Sequence, residues 1–137
     1  MKIKPNDLCP CYSKRQYQDC CRPWHEGKAA PSPEQLMRSR FAAYALDNVG
    51  YIIRTTHPQS PHAKVDRKSW RQNLKTFCCQ TDFLGLQILQ AGDASGDVGW
   101  VTFRAILMQV GRDVSFIEKS RFEKVNGRWL YHSGEFL

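Results

Sequence analysis

No stretch of the sequence approaches the roughly 20 consecutive apolar residues that a membrane-spanning helix needs, which excludes a transmembrane helix. The opening residues, Met1-Lys-Ile-Lys-Pro-Asn-Asp, lack the apolar stretch of a secretory signal before the first cysteine, so a cytoplasmic location is expected. No compositional excess marks a disordered or fibrous chain, because apolar residues make up 42% and charged residues 24%. Acidic side chains are in deficit, 13 against 20 Lys and Arg, and the net charge is +7. At 137 residues the chain is long enough for one ordinary domain with its own core plus, at most, a small appendage.

Residues 1–28 also lack helical or strand periodicity and are interrupted by Pro5, Pro10 and Pro23, so something other than a hydrophobic core must order them. What they do contain is cysteine: Cys9, Cys11, Cys20 and Cys21 are four of the six in the chain. In a reducing compartment such thiols read as metal ligands rather than disulfides. A Cys-x-Cys pair, a short loop carrying Ser13 and Tyr17, and an adjacent Cys-Cys pair supply four thiolates to a tetrahedral Zn2+ at little cost in loop closure. His25 is the alternative to Cys21 as fourth ligand. Cys78 and Cys79 lie far away, cannot bridge each other without strain, and read as core-filling thiols beside Phe77.

The linker Ala29-Ala-Pro-Ser-Pro runs into a helix start, with Ser32 as N-cap, Pro33 at the first position and Gln35 closing a capping box. An amphipathic helix over Glu34–Leu46 follows, then a short one holding Val49, Ile52 and Ile53 that stops at His57-Pro58, then a third from Asp66 to Phe77. Beyond them the period changes. Strands are expected over Phe83–Leu89, Gly99–Gln109, Val114–Lys124 and Arg128–Ser133, separated by turns at Gly92–Asp97, Gly111–Asp113 and Asn126-Gly127. Three helices followed by an antiparallel meander define an α+β domain over 29–137, preceded by a knuckle over 1–28.

Cys9-Pro10-Cys11-Tyr12-Ser13, Tyr17 and Cys20-Cys21 resemble the SEC-C motif, the zinc-binding tail of the SecA preprotein translocase. That motif usually has glycine on each side of its serine, where this chain has Tyr12 and Lys14. Leu36-Met-Arg-Ser-Arg-Phe-Ala-Ala-Tyr, Thr56-His57-Pro58, Glu118-Lys-Ser-Arg-Phe and Gly127-Arg-Trp-Leu-Tyr extend the resemblance to YchJ-type proteins over nearly the whole chain. The resemblance implies a nuclear-transport-factor-2-like (cystatin-like) domain, a curved antiparallel sheet wrapped by three helices into a cone. It brings no established activity with it. In the translocase tail the motif is a docking module for a protein partner, and domains of this type often pair through the outer sheet face, so a homodimer is a further expectation.

A fold of this kind decides no function by itself. Period two places Glu118 on one face with Phe116, Ser120 and Phe122, where it is a candidate general base, with His57 as its acid–base companion in a hydrolase or isomerase using the cone pocket. The competing reading makes Glu118 a structural partner of Arg40, Arg104 or His57, and His57 a capping residue. Arg38 and Arg40 point to different faces of their helix and cannot clamp one phosphate together; at least one of them buries its stem. The stripe Lys64, Arg67, Lys68, Arg71 and Lys75 offers a nucleic acid a basic face, although such runs are usually solvated. The patch Lys2, Lys4, Lys14, Arg15 and Arg22 surrounds the knuckle. The favoured reading is therefore a non-enzymatic zinc protein that docks an acidic protein partner through its knuckle, with the cone as scaffold or small-ligand binder.

Overall fold

Ser32 Oγ accepts the Gln35 N–H at 3.2 Å and Pro33 opens the helix, so the expected cap starts α2 (Pro33–Ala45). A computed structural model gives the structure, which describes residues 3–92 and 96–137. Part of the Gly92–Asp97 turn and Lys2 of the basic patch lie outside the described residues. Ahead of α2, residues 22–25 form one turn, α1 (Arg22–His25), begun by Pro23 in a segment without helical periodicity. The next helix, α3 (Val49–Arg54), is capped by Asn48, whose Oδ1 takes the Tyr51 N–H at 3.2 Å. Asp66 caps α4 (Arg67–Gln80) through the Ser69 N–H at 2.9 Å.

The strands β1 (Asp82–Ala91), β2 (Val98–Gln109), β3 (Arg112–Asp113), β4 (Phe116–Val125) and β5 (Arg128–Phe136) form one antiparallel sheet. Its order is β1-β2-β4-β5, with β3 folding back on β2. Asn126 and Gly127 both take positive φ, 51° and 79°, as the two-residue turn between β4 and β5 requires. The strand expected from Val114 starts instead at Phe116. Asp113 Oδ1 accepts the Ser115 N–H at 2.9 Å and Ser115 Oγ accepts the Leu107 N–H at 3.0 Å, so side chains replace the ladder there. Thr55–His57 continues the sheet beyond β5, because the Tyr131 N–H donates to Thr55 O and the His57 N–H donates to Tyr131 O, each at 2.8 Å.

The inner sheet face carries Val101, Phe103, Ala105 and Leu107 from β2, Phe122 from β4, and Trp129 and Tyr131 from β5, all buried against Leu36, Met37 and Phe41 of α2. Burial of these side chains is the main source of stability, about 1.5 to 3 kcal/mol for each large one. Helix α2 is buried on more than the single stripe its sequence suggests. Ala42 is fully buried against the cysteine knuckle, and Ser39 is fully buried with its hydroxyl 2.7 Å from that of Tyr51. Helix α4 is peripheral. Only its Trp70 is buried, against Val49 and Ile53, and Arg67, Arg71 and Lys75 remain exposed.

Candidate metal centre and its surroundings

Residues 7–17 fold back on themselves. The Cys9 N–H donates to Arg15 O and the Tyr17 N–H to Asp7 O, each at 2.8 Å, while the Tyr12 N–H closes a turn onto Cys9 O at 3.1 Å. This hairpin presents Cys9 and Cys11 to Cys20 and Cys21, which lie between the short helical turn Tyr17–Asp19 and α1. All four cysteines are buried, and their sulfurs lie within 4.8 Å of one another. Individual Sγ–Sγ distances include 3.5 Å for Cys11–Cys20 and 3.9 Å for Cys20–Cys21. A metal held at about 2.3 Å by four thiolates sets its sulfurs about 3.8 Å apart, so the donor set fits a tetrahedral site and is compatible with zinc.

The electrostatics of the bare thiols point the same way. The Cys21 and Cys9 thiols donate toward Cys11 and hold it well below the usual thiol range. In return, the hydrogen bond to Cys11 pushes Cys9 up to about 12 and likewise raises Cys21. Cys20 is drawn down to about 7 by the Cys21 thiol. Four thiolates in so small a buried volume repel one another, and only a bound cation lets them all ionise. Ser13 Oγ lies 3.1 Å from Cys20 Sγ and accepts the Arg15 N–H at 3.2 Å, which ties the loop serine to the cluster.

His25 stands beside this cluster with both ring nitrogens engaged elsewhere. Its Nε2 donates to Ser39 O at 2.8 Å and its Nδ1 accepts from the Tyr17 hydroxyl at 2.6 Å, which fixes the neutral tautomer. Burial lowers its pKa. The sulfur of Cys21 belongs to the four-membered set; the imidazole of His25 anchors the knuckle to α2. Further anchors are Arg38 Nη1 to Cys11 O at 3.2 Å, the Tyr12 hydroxyl to Phe83 O at 2.8 Å, and Ala42 packed against the cysteines. Cys78 is half-buried, with burial pushing its thiol up to about 11, and Cys79 is exposed; both belong to α4.

Tyr12 and Lys14, which stand where the SEC-C pattern has glycine, both adopt left-handed backbone conformations, φ 63° and 73°. The loop thus keeps a glycine-like path with two side chains in place.

Glu118 lies on the inner sheet face, as period two requires. Its Oε2 accepts from the Ser120 hydroxyl at 2.5 Å and from the Tyr131 hydroxyl at 3.2 Å. A Cβ at Gly134 would overlap this carboxylate, so glycine there makes room for it. His57 lies across the sheet, its Nε2 3.5 Å from Glu123 Oε1, and Glu123 shares strand β4 with Glu118 at the opposite parity. The structure therefore corrects the pairing of Glu118 with His57 in one cone pocket. His132 Nε2, 3.8 Å from Glu123 Oε2, and Arg121, at 2.7 Å, complete a polar cluster that sequence reasoning missed, because it depends on the register of β5. Arg40 is the buried arginine of its pair. Its Nη1 donates to Ile52 O, Thr55 Oγ1 and Thr56 Oγ1, and its guanidinium lies 4.7 Å from the Tyr131 ring centroid.

Neither of two surface cavities is lined by Glu118 or His57. One, of about 450 Å³, lies between the knuckle loop and Gly85–Gln87; the other, of about 350 Å³, lies between α1 and the start of β5.

A four-cysteine knuckle seated on the first long helix of a cone-shaped α+β domain defines the class. Residues 32–134 match the family described as YchJ, middle NTF2-like domain, and the chain belongs to that YchJ-like family. It is similar to a SEC-C motif containing protein from Rhodopseudomonas palustris, with 35% identity over 96% of this chain and 98% of the other at a TM-score of 0.77. A SEC-C motif containing protein from Psychrobacter arcticus is 25% identical over 94% and 82% of the two chains, again with a TM-score of 0.77. An epoxide hydrolase of the LEH-like type from M. tuberculosis shares only the fold, at 15% identity, 75% and 80% coverage and a TM-score of 0.54.

Proposed function

We propose that the protein is a cytoplasmic zinc protein whose knuckle docks an acidic protein partner, with Zn2+ held by Cys9, Cys11, Cys20 and Cys21. The observation that carries this reading is the cluster of four buried sulfurs within 4.8 Å of one another, built into a loop closed by backbone hydrogen bonds. When bound, the ion neutralises thiolate charge and fixes the loop; it supplies no open coordination position for chemistry. Around it, Lys4, Lys14 and Arg15 are exposed, while Arg22 is tied to Glu26 at 3.2 Å and contributes less free charge. A hydrogen-bonded loop presenting cations that have no ion pair among the described residues suits recognition of carboxylate-rich surfaces, because little backbone freedom is lost on binding.

Binding to an acidic partner then weakens as salt screens these charges, over a Debye length of about 8 Å at physiological ionic strength. Reversing Lys14 and Arg15 to Glu is expected to abolish retention of cross-linked cellular partners while zinc content stays unchanged. Glu118→Gln, on the inner sheet face, is expected to leave retention intact. Full retention by the charge-reversed variant would refute the docking reading.

A further inference from the structure

The cavity of about 350 Å³ between α1, the Gly27–Ala30 segment, α3 and the start of β5 is lined by the part-exposed Trp24, by edges of the buried Tyr51 and Trp129, and by a rim of cations, Lys28, Arg54 and Arg128. Arg54 and Arg128 are each held by one nitrogen: Arg54 Nη2 donates to His25 O at 2.7 Å, and Arg128 Nη1 donates to Gly27 O at 3.2 Å. Arg54 also lies 4.8 Å from the Tyr51 ring centroid. Each guanidinium keeps further N–H groups for a ligand, since arginine carries five. Among the described residues, none of the three cations has a carboxylate within ion-pair distance. Three unpaired positive charges converging on one concavity concentrate anions there.

Trp24 lines the cleft with its ring; its Nε1 is fully buried and does not open onto it. The volume lies at the small end of the range for ligand pockets, about 300 to 1,000 Å³, which favours a small molecule over a polymer. The Trp24 ring fits an apolar body, and guanidinium groups fit a carboxylate or phosphate.

We propose that this cleft binds a small organic anion, its carboxylate or phosphate held by Arg54, Arg128 and Lys28 and its apolar body laid against the part-exposed ring of Trp24. Occupancy would also link the knuckle to the cone, because the arginines that hold the anion already hold the carbonyls of residues 25 and 27.

The test is a titration of the full chain followed by its tryptophan indole N–H resonances, with the Trp24 signal identified from Trp24→Phe. Phenyl phosphate and benzoate are the two probes, and benzyl alcohol is the neutral control with the same ring. At least one anion is expected to shift the Trp24 indole saturably, its stronger response naming the acid group, and benzyl alcohol to bind at least tenfold more weakly. Arg54→Gln combined with Arg128→Gln is expected to weaken the anion at least tenfold. Lys28→Glu, which leaves both guanidinium–carbonyl bonds in place, is expected to weaken it at least threefold. Absence of a saturable shift with either anion, equal binding of benzyl alcohol, or unchanged affinity in Lys28→Glu would each overturn the proposal.

Discussion

Lys14 holds φ 73° on an exposed loop, a conformation that costs an L-residue roughly 1 to 2 kcal/mol relative to glycine. Tyr12, at φ 63°, recovers part of that cost through its hydroxyl bond to Phe83 O and its edge-on packing against Phe41. Lys14 has no such return among the described contacts. Lys14→Gly is therefore expected to stabilise the knuckle by about 1 kcal/mol and to tighten metal retention several-fold against a competing chelator. Unchanged or weaker retention would show that the loop relaxes around lysine without strain. The four-cysteine cluster was legible at this scale because its spacing is local. The anchors of Tyr12 and His25 were not, since each reaches a partner far along the chain.

Val110 and Gly111 make the turn from β2 to β3, with φ 50° and 76°. A β-branched residue at positive φ is unusual, and Val110 is 93% exposed, so nothing packs against it in compensation. Val110→Asn is expected to raise stability by about 1 kcal/mol, measured as a higher denaturant midpoint with unchanged slope, because asparagine tolerates this region. A fall in the midpoint would mean that valine stabilises the turn by a contact outside this account. Helices α2 to α4, strands β1, β2, β4 and β5 and their order were legible from period and turn chemistry, and Ser32, Asp66 and Asn126-Gly127 act as their residue types suggest; α1 lacked periodicity, and β3 falls in the segment read as a turn. The start of β4 was not, because Asp113 and Ser115 replace ladder bonds with side-chain bonds that periodicity does not register. Nor was the addition of Thr55–His57 beside β5, which carries His57 to the face opposite Glu118.

At the scale of the molecule, the knuckle and the cone share α2. Ala42 packs against the cysteine cluster and the Ser39 carbonyl is held by His25, so losing the knuckle exposes part of the helix that also packs on the sheet. The main core, from Ala30 to Tyr131, does not include the cysteines, and most helix and strand structure is expected to survive chelation while the melting temperature falls. The cleft between α1 and β5 was illegible in the sequence because its cations, Lys28, Arg54 and Arg128, come from three separate segments. The four cysteines carry the central claim. Elemental analysis of the purified chain measures it directly, comparing the unaltered protein with Cys20→Ser and with Cys78→Ala and Cys79→Ala. One zinc per chain in the unaltered, Cys78→Ala and Cys79→Ala proteins, and its loss in Cys20→Ser, is the expected result; no bound metal in the unaltered chain, or one equivalent kept in Cys20→Ser, would contradict the account.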